Sequence, residues 1–169
     1  MGAIARTLVS LSGPDAVHGI IPAALLAHET TPNSSAPDAK HPIDSAIFGP
    51  TTIVQTMHER KSLMAELVKQ GGPGSGFIAL SGGYGTMEEL MEMVTWNQLG
   101  LHDRGVVVYN VDGYWDGLMG WIGRAVEGGF VAEGNRGILV EAGSAEEAVR
   151  CLGGYRVSEE RMRLDWGDK

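Results

Sequence analysis

Cysteine is nearly missing from this chain of 169 residues, where Cys151 stands alone. An intrachain disulfide is therefore excluded, and a reducing compartment is the simplest setting. Long hydrophobic runs are missing too. None approaches the roughly 20 residues that a membrane-spanning helix needs. The first residues lack the basic-then-apolar plan of a signal peptide, so the expected location is the cytoplasm, with no membrane partner. Excess positive charge is also lacking: 13 Lys and Arg face 21 Asp and Glu, a net charge of −8. This argues against nucleic acid or an anionic membrane as the main partner. A small phosphorylated ligand is still allowed, since it needs only a local cluster of donors. The five histidines show no metal-ligand spacing, and no internal repeat is present.

Glycine, by contrast, is abundant at 25 residues, and the hydrophobic share of 43% is that of a globular protein. A chain of this length buries roughly 70% of its unfolded surface, so one domain over the whole chain needs no staples. Helical periodicity marks "GAIARTLVSL", "MHERKSLMAELVKQ", "TMEELMEMVTWNQLG", "YWDGLMGWIGRAVEGG" and "SAEEAVRCL". Ser144 and Glu147 form a capping box before the last of these. Short apolar runs mark strands at "AVHGII" (closed by Pro22), "TTIVQT", "GFIAL", "GVVVYN" and "GILVEA". Residues 30–50, rich in Pro, Ser and Asp, read as a surface loop, and "GGPGSG" at 71–76 as a flexible break. Continuously apolar strands alternating with amphipathic helices predict an α/β fold of Rossmann-like type, a parallel sheet with helices on both faces.

Two stretches carry chemistry. In "ALSGGYGTMEEL", an apolar strand ends and Gly82, Gly83 and Gly85 lead into a helix. In a parallel sheet this turn lies at the ligand-binding edge. The amides of Gly83, Tyr84, Gly85 and Thr86 can converge on an anion there. A tight strand-to-helix turn is the alternative reading. Neither a Walker loop nor G-x-G-x-x-G is present. Beyond the turn, Met87, Leu90, Met91 and Val94 form the expected main apolar stripe. Glu89 falls on a second, mostly apolar face with Thr86, Met93 and Trp96, while Glu88 decorates the solvated side. In the helix from Met57, projecting the stripe of Leu63, Met64, Leu67 and Val68 backwards gives Met57, Arg60 and Lys61. These two cations either meet an anion or snorkel at the helix end.

"MHERK" followed by "SGGYGTMEE" resembles the LONELY GUY (LOG) family, the cytokinin riboside 5′-monophosphate phosphoribohydrolases, which older descriptions call lysine-decarboxylase-like. Their pattern is an Arg-Lys pair on one helix and Pro-Gly-Gly-x-Gly-Thr-x-x-Glu after the next strand. The similarity continues through "ELMEMVTWNQLGLHDRGVVVYNVDGYWDGL" and reaches back to "MGAIA" and "GIIPAAL". It implies that Gly82, Gly83, Tyr84, Gly85 and Thr86 hold a 5′-phosphate, and that Arg60 and Glu89 are the catalytic pair. Glu29, Lys61 and Thr95 match further substrate-contact positions. The implied partners are a small nucleotide and a second copy of the chain, with no cofactor and no metal. Departures from the pattern are Ser81 in place of Pro, surface insertions near 30–50 and 71–76, and a first unit that reads as truncated, without the usual opening strand-helix-strand.

The reaction implied is hydrolysis of an N6-modified adenosine 5′-monophosphate to the free base and ribose 5-phosphate. A general nucleoside-monophosphate nucleosidase and a non-catalytic nucleotide-binding protein are the rival readings. Lysine decarboxylation would need a lysine suited to pyridoxal phosphate, and none of the lysines sits in such a place.

Overall fold

Residues 2–26 and 43–167 are described by the computed structural model, and the chain divides into two units, Met1–Met64 and Ala65–Lys169. In the first unit, helix α1 (Gly2–Ser12) runs into Gly13, whose φ of 84° ends it. A single 3-10 turn at Pro14–Ala16 follows. Strand β1 (Gly19–Pro22) therefore starts three residues later than the sequence suggests, and Pro22 is its last residue rather than its stop. Helix α2 (Ser45–Phe48) and strand β2 (Thr51–Val54) come next. β1 and β2 pair in parallel, from Gly19 opposite Thr51 to Pro22 opposite Val54. Val9, Ile21, Pro22 and Val54 are buried among the described residues of this unit.

Helix α2 corrects the reading of 30–50 as loop throughout. The Asp44 carboxylate accepts the Ala46 N–H at 2.9 Å, and Gly49, with φ 79°, closes the turn. An Asp before and a Gly after four residues is a short helix with both ends marked. Most of the remaining stretch lies outside the described residues.

Helix α3 (Met57–Gln70) begins in the first unit, and its last six residues belong to the second. Its start is a capping box that the sequence reading passed over. The Thr56 hydroxyl accepts the Glu59 N–H at 3.1 Å, and the Glu59 carboxylate accepts the N–H groups of Gln55 and Thr56. Arg60, Lys61, Met64 and Val68 are half-buried and Ala65 is buried, whereas Met57 and Leu67 are exposed. The two cations thus lie on the inward face, as projected, while the apolar stripe is narrower than expected.

The second unit holds strands β3 (Gly76–Ala79), β4 (Gly105–Tyr109) and β5 (Leu139–Ala142), parallel and in that order. With β1 and β2, the chain has two parallel sheets, one in each unit, and the α/β class is as read from the sequence. Val106, Val107 and Val108 are fully buried because both faces of β4 are covered. Val106 and Val108 pack with Ala65, Leu90, Met93, Trp115, Ile122 and Leu139. Val107 points the other way, to Ala142 and Ala148. Each such valine contributes roughly 1.5–3 kcal/mol by leaving water. Helices α4 (Tyr84–Gln98), α5 (Asp116–Glu127) and α6 (Ala145–Gly154) complete this unit.

The 71–76 segment is a pinned turn rather than a flexible break. The Arg104 guanidinium donates to the carbonyls of Lys69, Gly71 and Gly72. The stripe on α4 also differs from its reading: Leu90, Met93 and Asn97 are buried, and Met87 is exposed. Asn97 can take a core position because its amide donates to the Arg104 carbonyl at 2.9 Å.

Beyond α4, His102 is buried. Its Nε2 faces the Met93 carbonyl at 2.8 Å and its Nδ1 accepts the Arg104 N–H at 3.1 Å, which assigns the proton to Nε2. Burial holds its pKa below the ordinary value, although the Met93 carbonyl and Asp103 pull the other way. The segment after α6 returns across this region. Met162 N–H donates to Gln98, the Trp166 indole to Leu99 and Arg161 to His102, each to a backbone carbonyl.

Candidate functional site

Strand β3 delivers the chain to the carboxyl edge of the three-stranded sheet, and α4 begins after Gly83. The three glycines of this turn do different things. At Gly82 a Cβ would lie 2.1 Å from Thr86 Oγ1, so the Thr86 side chain occupies the space a larger residue would need. At Gly83 and Gly85 a Cβ would meet nothing within 4 Å among the described residues. Among the described residues, packing does not demand glycine at either position. Tyr84 between them is 98% exposed.

The start of α4 is left open. Gly83, the N-cap, supplies no side chain, no side chain caps the helix among the described residues, and its first turn holds no acid. The Met87 N–H closes onto the Gly83 carbonyl at 3.0 Å. The first amides of a helix lack intrahelical acceptors, and the positive end of the helix dipole lies at the same place. One turn further on, Glu88 is exposed and Glu89 is half-buried beside Leu90.

A second loop of the same edge reaches this turn, and the sequence reading missed it. After β4, Asn110 N–H donates to the Ala142 carbonyl at 2.8 Å. Its side-chain amide donates to Asp116 at 2.7 Å and to Glu141 at 2.6 Å, and its Oδ1 accepts the Trp115 N–H at 2.7 Å. Between them the chain turns tightly through Asp112 (φ 51°) and Gly113 (φ 73°). This presents Tyr114, whose hydroxyl donates to the Gly82 carbonyl. The Tyr114 ring stands edge-on to the buried Trp115, 5.1 Å between centroids at 86°. The visible signal was "NVDGY" directly after a buried strand, a turn sequence at the ligand edge.

The structure thus brings together Gly82, Gly83, Tyr84, Gly85, Thr86 and, one turn on, Glu89. Thr95 is further off, nine residues beyond Thr86 and about 14 Å along the helix axis at 1.5 Å per residue. Its hydroxyl is turned back onto the Met91 carbonyl at 2.7 Å. Arg60 and Lys61 belong to the first unit, where Arg60 Nε donates to the Ile20 carbonyl at 3.1 Å. Glu29 lies outside the described residues. Among the described residues, no three His, Cys, Asp or Glu side chains form a metal-sized cluster, and no helix is long and apolar enough to cross a membrane. An open cleft of about 530 Å³ in the first unit, lined by Arg6, Val9, Ser10, Ala46, Ile47 and Phe48, holds none of the candidate site residues.

Residues 1–152 match the family model described as "Possible lysine decarboxylase". The bifunctional cytokinin biosynthesis protein of Fusarium pseudograminearum is 51% identical over 98% of this chain and 34% of its own length. A protein of Oryza sativa named "Probable cytokinin riboside 5′-monophosphate phosphoribohydrolase LOGL1" is 42% identical over 98% of this chain and 66% of its own. Cytokinin riboside 5′-monophosphate phosphoribohydrolase LOG3 of Arabidopsis thaliana is 41% identical over 89% of this chain and 62% of its own. The chain therefore spans between about a third and two thirds of the length of these curated relatives.

Proposed function

This chain belongs to the LONELY GUY family, and from that premise we propose that it hydrolyses the N-glycosidic bond of cytokinin riboside 5′-monophosphates. The products are the free N6-modified adenine and ribose 5-phosphate. The observation that carries the reading is the open turn at the start of α4, where, among the described residues, a Cβ at Gly83 or Gly85 would meet nothing within 4 Å and no side chain caps the helix. In this reading the amides from Gly83 to Thr86 hold the 5′-phosphate. The anchored phosphate does not react, and its binding energy positions the ribose.

In the chemical step the bond between C1′ and the base breaks, and its electron pair leaves with the base. The ribose gains positive charge, as in glycoside hydrolysis. Glu89 is proposed to stabilise that charge and to take the proton that water loses as its oxygen bonds to C1′; the departing base takes up one proton in turn, so that water is added across the broken bond. Arg60 is proposed to act with it as the catalytic pair, and Lys61, Thr95 and Glu29 to contact substrate. These last roles rest on the family resemblance. We further propose a cytoplasmic homodimer. Exposed Met87 and half-buried Met91 on α4 support it, and light scattering at micromolar concentration tests it.

The function is tested by incubating the protein with isopentenyladenosine 5′-monophosphate and assaying ribose 5-phosphate. Release from this substrate well above release from AMP is expected. Equal release from both identifies a general nucleosidase instead, and binding without release identifies a nucleotide-binding protein.

A further inference from the structure

We infer that Tyr114 is a positioning residue that locks the Gly82–Gly83 peptide unit in one orientation. The idea deepens the phosphate-cradle reading and, for its effect on ligand, rests on it. A trans peptide is planar, so the Gly82 carbonyl and the Gly83 N–H point in opposite directions as one rigid unit. Glycines on both sides of that unit place few steric limits on its rotation. A flip would replace the Gly83 N–H with a carbonyl oxygen and turn a donor for an anion into a repulsive dipole. Two contacts oppose this. The Tyr114 hydroxyl donates to the Gly82 carbonyl, and the Thr86 side chain packs on the Cα of Gly82.

Tyr114 is well placed for this task because its own position is fixed from behind. Its ring is set against Trp115, which is 2% exposed. The turn that carries it is tied by Asn110 to the ends of β4 and β5 through Trp115, Asp116, Glu141 and Ala142. The orientation of the Gly83 amide is thus inherited from the two neighbouring strands rather than from the glycines. The ring itself is half exposed, so losing its hydroxyl leaves no buried polar group behind.

Tyr114→Phe removes the hydroxyl alone. Nitrogen relaxation dispersion at the Gly83 amide should be flat in the unmutated chain and show exchange on the microsecond-to-millisecond scale in the variant, with the melting temperature unchanged. Calorimetry with isopentenyladenosine and its 5′-monophosphate supplies the second readout. Loss of one hydrogen bond predicts about a three- to tenfold drop in affinity for the monophosphate only. Flat dispersion in both proteins overturns the inference. An unmutated chain that binds nucleoside and monophosphate equally overturns the phosphate reading, while the dispersion result still decides what Tyr114 does.

Discussion

The β5–α6 turn fills the start of its helix with the chain's own side chains, whereas the β3–α4 turn, on the same edge of the same sheet, leaves the helix start empty. At the first, Ser144 Oγ accepts the Glu147 N–H at 3.1 Å, and the Glu147 carboxylate reaches back to the Gly143 N–H at 2.8 Å. Glu146 and Glu147 add negative charge to the first turn. At the second, Gly83 caps with backbone only and the first turn has no acid. Helix α3 is closed in the same way as α6, by Thr56 and Glu59. A capping box satisfies the orphan amides and stabilises the helix by about 1 kcal/mol. Leaving it out at α4 forgoes that stability, and in the proposed reading the amides are kept for a ligand. In the function proposed above, that ligand is a phosphate monoester.

The sharpest way to break this comparison is through the acid that follows the open turn. Glu89→Gln keeps size and hydrogen bonding but removes the charge proposed to stabilise the forming ribosyl cation. Turnover should fall about a hundredfold or more, roughly 2.7 kcal/mol in the barrier, with substrate affinity nearly unchanged. Steady-state kinetics of Glu89→Gln beside Glu88→Gln decides it, and equal behaviour removes the role from Glu89.

Next in size is a block at the open turn itself. A Cβ at Gly83 meets nothing within 4 Å among the described residues, so Gly83→Val should fold normally. Its branched side chain would stand where the anion is proposed to approach, and the preference for monophosphate over nucleoside should disappear in calorimetry. Loss of thermal stability with the preference intact would assign Gly83 to packing instead. Opening the closed turn is the converse. Ser144→Ala should cost about 1 kcal/mol of stability in urea unfolding and leave nucleotide affinity untouched.

The smallest effect lies away from both turns. His102 is neutral in the fold, with a pKa below its ordinary 6.5. The unfolded chain takes up that proton first as pH falls. The contribution is therefore complete above about pH 6.5 and is lost as pH falls from there through the folded value. Melting temperature should decline over that window, and His102→Gln should flatten the decline.

The parallel α/β class was legible because β4 is apolar at every position and must be covered on both faces. The α6 cap was legible because Ser144 and Glu147 sit at the spacing that a reciprocal cap requires. The α4 face was read less well. Hydrophobicity placed Met87 inside and overlooked Asn97, yet burial followed the hydrogen bond that Asn97 makes to Arg104. Pinning of the 71–76 turn depends on that same Arg104, more than 30 residues away in sequence, and local composition carries no trace of it. Within the candidate site, the glycine turn and Glu89 stood out from spacing alone. Tyr114 did not, because its link to Gly82 exists only once β3 and β4 lie side by side.

Trp166 closes the Leu99 carbonyl from 67 residues further along the chain, and Met162 does the same for Gln98. Such long-range closure is slow to form, because the intervening loop must be brought in before the bond is made. On a ribosome the delay is larger still. At about 5–20 residues per second, α4 emerges several seconds before the partners that finish its far end. Until then the end of the helix that carries the glycine turn rests on its local closures alone, Leu99 N–H to Thr95, Gly100 N–H to Asn97 and Leu101 N–H to Trp96.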